Sequence, residues 1–101
     1  MEILALSEER YLKIIEFICI YKGINKEELV KLLKDRESKY LLLLILETYR
    51  CADLERISRD FSKVSTKSLK YNLKKAEEKF FVNKEFRDQY LEIEEMIKKI
   101  I

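Results

Sequence analysis

Apolar side chains recur every three or four residues over most of this chain, which is the spacing of amphipathic helices. Proline is absent and Gly23 is the single glycine, so hairpins and tight turns lack the residues they need. The pattern therefore predicts an all-helical chain that forms one domain over residues 1–101, with six helices. The first helix is predicted from about Ser7, as its N-cap, to Lys22, because a glycine readily ends a helix.

Two further helices are predicted in the middle of the chain. Asn25 and Glu28 have the spacing of a capping box that would begin the second helix. The third helix is predicted from about Glu37 to Tyr49, around the seven-residue apolar run from Tyr40 to Leu46. Because that run is apolar on every side, the third helix has to be wrapped by neighbours or shared with a second subunit.

The last three helices are each preceded by a residue type that caps helix N-termini. Asp53 precedes a short fourth helix, and Ser65 or Thr66 precedes a fifth helix that runs to about Phe80. Asn83 precedes a sixth helix that continues almost to the end of the chain. The fourth and fifth helices each have one apolar face, so we expect both to pack on the same core.

A short helix, a turn of about four residues and a longer helix form a helix-turn-helix, predicted here at about residues 53–80. In that motif the second helix enters the major groove of DNA and brings its N-terminal residues to the base edges. The outward face of the fifth predicted helix carries lysines, hydroxyls and a tyrosine, which can bind phosphates or base edges. The candidate DNA-binding residues here are Lys63, Ser65, Thr66, Lys67, Ser68, Lys70, Tyr71 and Lys74.

The charge distribution also favours this element. The net charge of the chain is only +2, but residues 36–75 carry 10 basic and 5 acidic side chains. The stretch 62–75 holds five lysines and no acidic residue. A local basic segment of this kind is typical of a surface that binds nucleic acid.

Other functional classes lack their characteristic residues. The chain has no histidine, which excludes Ser-His-Asp and Cys-His catalysis, and a single glycine cannot form a phosphate-binding loop. Cys19 and Cys51 are 32 residues apart, a spacing that does not suit a zinc site. We therefore expect no enzyme activity, no cofactor and no metal. We also expect two buried, reduced thiols in a cytoplasmic protein, and no membrane span, because the longest apolar run is too short.

Several segments follow one another in the order of a known domain: Ile14-Ile15-Glu16-Phe17, then Tyr21 to Leu29, Arg36 to Thr48, Asp53 to Phe61, and Lys74-Lys75-Ala76-Glu77. Together they resemble the C-terminal DNA-binding domain (domain IV) of the bacterial replication initiator DnaA, which has a Trp-repressor-like fold. The resemblance covers almost the whole chain. It implies this fold, a double-stranded DNA ligand, and a place in the bacterial cytoplasm, at the nucleoid when bound to DNA.

The chain departs from that family at the turn and the start of the recognition helix. The family signature is gly-gly-arg-asp-his-ser/thr-thr-val, whereas Val64, Ser65 and Thr66 occupy the positions of its Arg, Asp and His. The resemblance therefore carries the fold to this chain but not the family's target sequence. In the family, a basic residue just before the third helix reaches the minor groove. Arg36 or Lys39 would take that role here.

Two functions stay open from the sequence. The first is a small transcription or replication regulator that reads duplex DNA without an ATPase motor. The second is a helical adaptor that binds proteins, having kept the fold and lost DNA reading. A continuous positive ridge along the fifth helix would favour DNA, and an apolar groove with a broken ridge would favour a protein partner. A homodimer is compatible with either function.

Overall fold

Helices occupy most of the chain that the structure, a computed structural model, describes, namely residues 2–25, 28, 30–61 and 64–101. Their bounds are α1 Glu2–Lys22, α2 Val30–Lys34, α3 Arg36–Thr48, α4 Leu54–Asp60, α5 Thr66–Val82 and α6 Lys84–Lys98. The segment α2 has five residues, and each of the other five helices has seven or more. No strand occurs within the described ranges, so the predicted all-helical class is confirmed.

The first helix begins earlier than the sequence pattern predicts. α1 already includes Glu2, so Ser7 lies inside the helix and its predicted role as N-cap is wrong. The reason is that the strong helix formers of residues 4–6 let the helix continue past a single serine. α1 ends at Lys22 as predicted, and Gly23 takes a φ of 67°, in the left-handed region that glycine adopts at least cost.

The second predicted helix corresponds to the short segment α2. It begins at Val30, not directly after Asn25. The backbone N–H of Glu28 donates to the carbonyl of Asn25 at 2.8 Å, which closes one turn before α2. The predicted capping box of Asn25 and Glu28 is wrong, because the contact between them in the described structure is this backbone bond, and the Glu28 carboxylate pairs instead with Lys31.

Four helices begin at a side chain that accepts a backbone N–H, as the physics of helix ends requires. Asp53, Ser65 and Asn83 cap α4, α5 and α6, which confirms the three predicted caps. Asp35 caps α3 in the same way, through a 3.0 Å bond from the N–H of Ser38. α5 continues to Val82, beyond the predicted end at Phe80, because the chain turns only at Asn83, which ends α5 and begins α6.

The centre of the fold is α3. All six side chains from Leu41 to Leu46 are buried, because α3 packs against α1, α2, α5 and α6. This confirms that the apolar run is wrapped by other helices. Each neighbour contributes an apolar face to one core, whose fully buried members include Ile14, Ile18, Ile57, Phe61, Leu69, Ile93 and Ile97. The radius of gyration is 12.8 Å, near the ~13 Å of a compact 100-residue domain.

Cys19 and Cys51 are both buried and form no disulfide, in keeping with the predicted pair of buried thiols. Across the described ranges, no helix combines the length and the apolar character that crossing a membrane requires.

Candidate nucleic-acid interface

The short helix α4 is held against α1 by Arg56 and by a hydrogen bond from Tyr11. The Arg56 guanidinium lies 4.1 Å from the centroid of the Tyr11 ring and forms a 3.2 Å ion pair with Glu8. The Tyr11 hydroxyl donates to Asp60 at 2.9 Å, and Arg56 also reaches Asp60 at 3.5 Å. Burial of the Tyr11 ring and its bond to Asp60 raise the pKa of the phenol. These contacts fix the orientation of α4.

α4 and α5 follow one another in the chain and pack together. Phe61, directly after α4, is completely buried, and Leu69 in the first turn of α5 is buried in the same core. The order of a short helix, a connection and a longer helix agrees with the predicted pattern, while a DNA-reading helix-turn-helix stays a prediction. Lys63, one of the candidate DNA-binding residues, lies outside the described residues.

Three lysines form a positive ridge on the outer face of α5. Lys67, Lys70 and Lys74 are exposed and fall within about 60° around the helix axis, over about 10 Å of its length. In the described structure none of the three side chains forms an ion pair or a hydrogen bond. We call these three residues the lysine ridge.

The other two lysines of α5 are engaged within the protein. Lys75 lies 5.5 Å from the Tyr71 ring and 3.5 Å from the Glu78 carboxylate. Lys79 packs 5.1 Å from the ring of Phe86 and 5.8 Å from that of Tyr40. The charge that α5 offers to a partner is therefore concentrated on the lysine ridge.

The hydroxyl-bearing candidates divide between local structure and open surface. The Ser65 hydroxyl oxygen accepts the N–H of Ser68 at 3.3 Å, so it is part of the α5 cap. The Asn72 amide donates to the Ser68 carbonyl at 2.8 Å and to its hydroxyl at 3.3 Å. Thr66 is exposed beside the lysine ridge, and the Tyr71 ring is 61% exposed. All four candidates thus lie in the first two turns of α5, around the ridge.

The ridge covers only the first half of α5. Glu77 and Glu78 follow it, and burial together with the charge of Glu77 raises the pKa of Glu47 on the neighbouring α3. Phe81 and Val82, at the end of α5, are 77% and 84% exposed. The face of α5 therefore changes from basic to acidic and then to apolar along its length.

The two candidates on α3 lie at the other end of α5. Tyr40 in the first turns of α3 faces Lys79. Two hydrogen bonds from Ser38, together with the positive charges of Lys22 and Lys79, lower the pKa of Asp35. Arg36 is exposed and Lys39 half-buried at this same end. Lys79 is five residues beyond Lys74 and 12 residues beyond Lys67, so it lies about 8–18 Å along α5 from the members of the lysine ridge.

A groove between α4 and α5 brings in residues that the sequence analysis did not select. It has a volume of about 550 Å³ and is lined by Ala52, Asp53, Leu54, Glu55, Thr66, Lys67 and Lys70. Asp53 is occupied as the cap of α4, where it accepts from two backbone N–H groups. The exposed carboxylate of Glu55 thus shares a groove with two members of the lysine ridge. No sequence motif signals this, because it depends on how α4 packs against α5.

Comparison with known proteins identified no relative of this chain. A scan against protein-family models, a search of curated proteins and a search of solved structures each returned no match to this chain. The resemblance to the DnaA DNA-binding domain therefore remains a prediction from the sequence motifs.

Proposed function

We propose that this chain binds double-stranded DNA, with the first half of α5 in the major groove, and acts as a small regulator of transcription or replication. The observation that carries the proposal is the lysine ridge. Lys67, Lys70 and Lys74 are exposed on one helix face and have no carboxylate partner in the part of the chain that is described. Phosphates would supply the missing negative charge, and the release of their counterions would drive binding.

The surroundings of the ridge also support this proposal. Ser65, Thr66 and Tyr71 place hydroxyl groups around the lysines, and such groups can donate to phosphates or base edges. The ridge is about 10 Å long, which fits within a major groove about 12 Å wide. α4 is braced against α1 by Arg56, so α5 would be presented on a rigid support.

The separation of Arg36 and Lys39 from the ridge is compatible with a second contact to the same duplex. Lys79 marks their end of α5 and lies about 8–18 Å along the helix from the ridge lysines, a range that includes half of the ~34–36 Å helical repeat of DNA. With the ridge in the major groove and α5 directed along the duplex, Arg36 or Lys39 would lie near the adjacent minor groove. A chain that binds DNA in this way would be found at the nucleoid, in the cytoplasm of a bacterium.

The test is fluorescence anisotropy of the protein with random-sequence duplex DNA, from about 50 mM to about 200 mM salt. We expect affinity to fall steeply as salt rises. In the Lys70→Ala, Lys74→Ala double variant the slope of log K against log salt should be smaller in magnitude by about two, because each lost phosphate contact removes about 0.9. Affinity should fall on all sequences.

The matched control is the Lys98→Ala, Lys99→Ala double variant. It makes the same change in net charge at two exposed lysines near the end of the chain. If the proposal is right, the control keeps most of the salt slope of the parent protein. Equal losses in the two variants would show nonspecific attraction, and no binding at about 50 mM salt would end the DNA proposal.

A second candidate function is protein binding, and one observation favours it. Phe81 and Val82 are strongly exposed, and Phe81 borders a cleft of about 200 Å³ that Leu44, Phe80 and Tyr90 also line. Exposed apolar groups beside an apolar cleft are typical of surfaces that bind other proteins. Under this second function, the partner protein would bind the second half of α5, and the lysine ridge would have no ligand.

One pair of variants separates the two functions. Phe81→Ser should leave DNA affinity and its salt slope unchanged if α5 binds DNA through the lysine ridge. Under the protein-binding reading, Phe81→Ser should abolish capture of a partner while Lys67→Ala leaves it intact. Pull-down with the parent protein and both variants would measure this.

A further inference from the structure

The groove between α4 and α5 has walls of opposite charge. Glu55 lies on the α4 wall, and Lys67 and Lys70 lie on the α5 wall. In the described structure, the Glu55 carboxylate makes no hydrogen bond or ion pair, even though both lysines line the same groove. The neighbouring Asp53 differs, because its Oδ1 accepts two backbone N–H groups of α4, which hold that carboxylate at the start of the helix. Glu55 is therefore the carboxylate of this groove that no contact within the described structure holds in place.

A carboxylate has a narrow choice of partners on duplex DNA. It can only accept hydrogen bonds, so it is repelled by phosphates and by the acceptor groups of guanine N7 and O6 or thymine O4. In the major groove, the exocyclic amino group of cytosine, N4, is the usual donor to a glutamate. Lysine has the complementary requirement and donates to guanine O6 and N7.

A G·C base pair presents both partners side by side. Its major-groove edge carries the two guanine acceptors next to the cytosine amino group. A groove with a carboxylate on one wall and ammonium groups on the other matches this edge in one orientation only. An A·T pair places its one donor, adenine N6, between two acceptors, so Glu55 would lie beside thymine O4, and a reversed G·C pair would bring the guanine acceptors toward Glu55.

We infer that Glu55 is a specificity-determining residue that accepts a hydrogen bond from cytosine N4, while Lys67 on the opposite wall of the groove donates to the paired guanine and Lys70 remains a phosphate contact. The inference rests on the proposed DNA-binding function and assigns a base preference to that same surface. It adds a residue from α4 to a site otherwise formed by α5. It also explains how a carboxylate is accommodated beside the lysine ridge, since it would face a base edge instead of the phosphate backbone.

The experiment starts with selection of preferred sites from a randomised duplex library by the parent protein. Each base pair of the selected site is then replaced in turn and binding is measured by anisotropy. We expect one G·C position at which a change to A·T or C·G weakens binding about tenfold. In Glu55→Gln that preference should fall to a few-fold or move toward A·T, because glutamine pairs well with adenine.

A base analogue isolates the hydrogen bond itself. Cytosine at that position is replaced by an analogue that lacks the N4 amino group, and affinity is measured for both proteins. The parent protein should lose about tenfold, whereas Glu55→Gln should lose much less. The matched control is Glu85→Gln, which removes an exposed carboxylate from the first turn of α6, as Glu55→Gln does from the first turn of α4, and should keep the preference of the parent. Glu55 and Glu85 are both exposed, so circular dichroism and thermal melting should be the same for all three proteins.

The outcomes distinguish a failure of this inference from a failure of the proposed DNA-binding function. If the parent protein binds DNA but Glu55→Gln has the same base preference, the role of Glu55 is refuted and DNA binding stands. If Glu55→Gln and Glu85→Gln raise affinity equally on every sequence, both acids act only through charge repulsion, which also refutes the inference. If the parent protein binds no DNA at low salt, the inference and the proposed function both fail.

Discussion

An alanine scan of four consecutive leucines in α3 tests whether this helix is wrapped on every side. Leu41, Leu42 and Leu43 are 0% exposed and Leu44 is 8% exposed. Because successive residues of a helix are about 100° apart, these four side chains point in all directions around the axis. Each Leu→Ala change should therefore be strongly destabilising, which would not be so for a helix with one solvent-facing side.

The expected size follows from the atoms removed. Leu→Ala deletes three carbon atoms, which corresponds to about 2.4 kcal/mol of lost transfer free energy at about 0.8 kcal/mol per carbon. The cavity left in a packed core raises the cost, so we expect a loss of about 3–4 kcal/mol for Leu41, Leu42 and Leu43. Leu44 should lie at the lower end of this range. The control Leu91→Ala on α6, where the leucine is 45% exposed, should cost about 1 kcal/mol or less.

The assay is urea unfolding followed by far-UV circular dichroism, with the free energy of unfolding extrapolated to water. A chain of this size is expected to have a free energy of unfolding of about 5–15 kcal/mol. Each change should therefore lower the urea midpoint of unfolding clearly without abolishing the fold. The reasoning is refuted if two adjacent leucines of the four each cost less than about 1 kcal/mol. That result would mean that one side of α3 is open to solvent or to another subunit.

Three smaller perturbations test other features. Tyr11→Phe removes the bond to Asp60 and should cost about 1 kcal/mol in chemical denaturation at neutral pH. Because the pKa of Tyr11 is raised, its contribution is complete below pH ~10 and lost as pH rises further, so the variant should be less sensitive to alkali. Bonds from Ser38 lower the pKa of Asp35, so this cap stabilises the fold above pH ~4 and is lost as pH falls. Asp35→Asn should retain the cap and remove that acid sensitivity in melts between pH 2 and 6. Gly23→Ala should lower the free energy of unfolding by about 1 kcal/mol through its positive φ alone, since no atom beyond the adjacent residues lies within 4 Å of the added Cβ, and Gly23→Asn should lose less.

The helix pattern and three of the caps could be predicted from the sequence because they are local. Asp53, Ser65 and Asn83 each cap a helix that follows within the next few residues, so their effect needs no tertiary contact. Ser7 has the same residue type and sits inside α1, because capping competes with the helix propensity of the residues before it. A residue's ability to cap does not by itself decide where a helix begins.

The candidate site was only partly predictable, since helical period shows which lysines face outward but not which are already paired. Lys67, Lys70, Lys74 and Lys75 are alike in the sequence, yet Lys75 is held by an acid and an aromatic ring on its own helix. Glu55 could not be selected at all, because its position beside two lysines results from the packing of α4 on α5. The separation of Arg36 from the ridge is likewise a tertiary property.

The central position of α3 has a consequence for how the chain opens. A helix covered by α1, α2, α5 and α6 cannot expose its amides unless several of these neighbours leave together. We expect the amide hydrogens of Leu41 to Leu46 to exchange with solvent only through global unfolding, and those at the start of α5 to exchange by local fraying. Truncation of α1 or α6 would then remove a wall of the same core, so neither shortened fragment should retain cooperative structure.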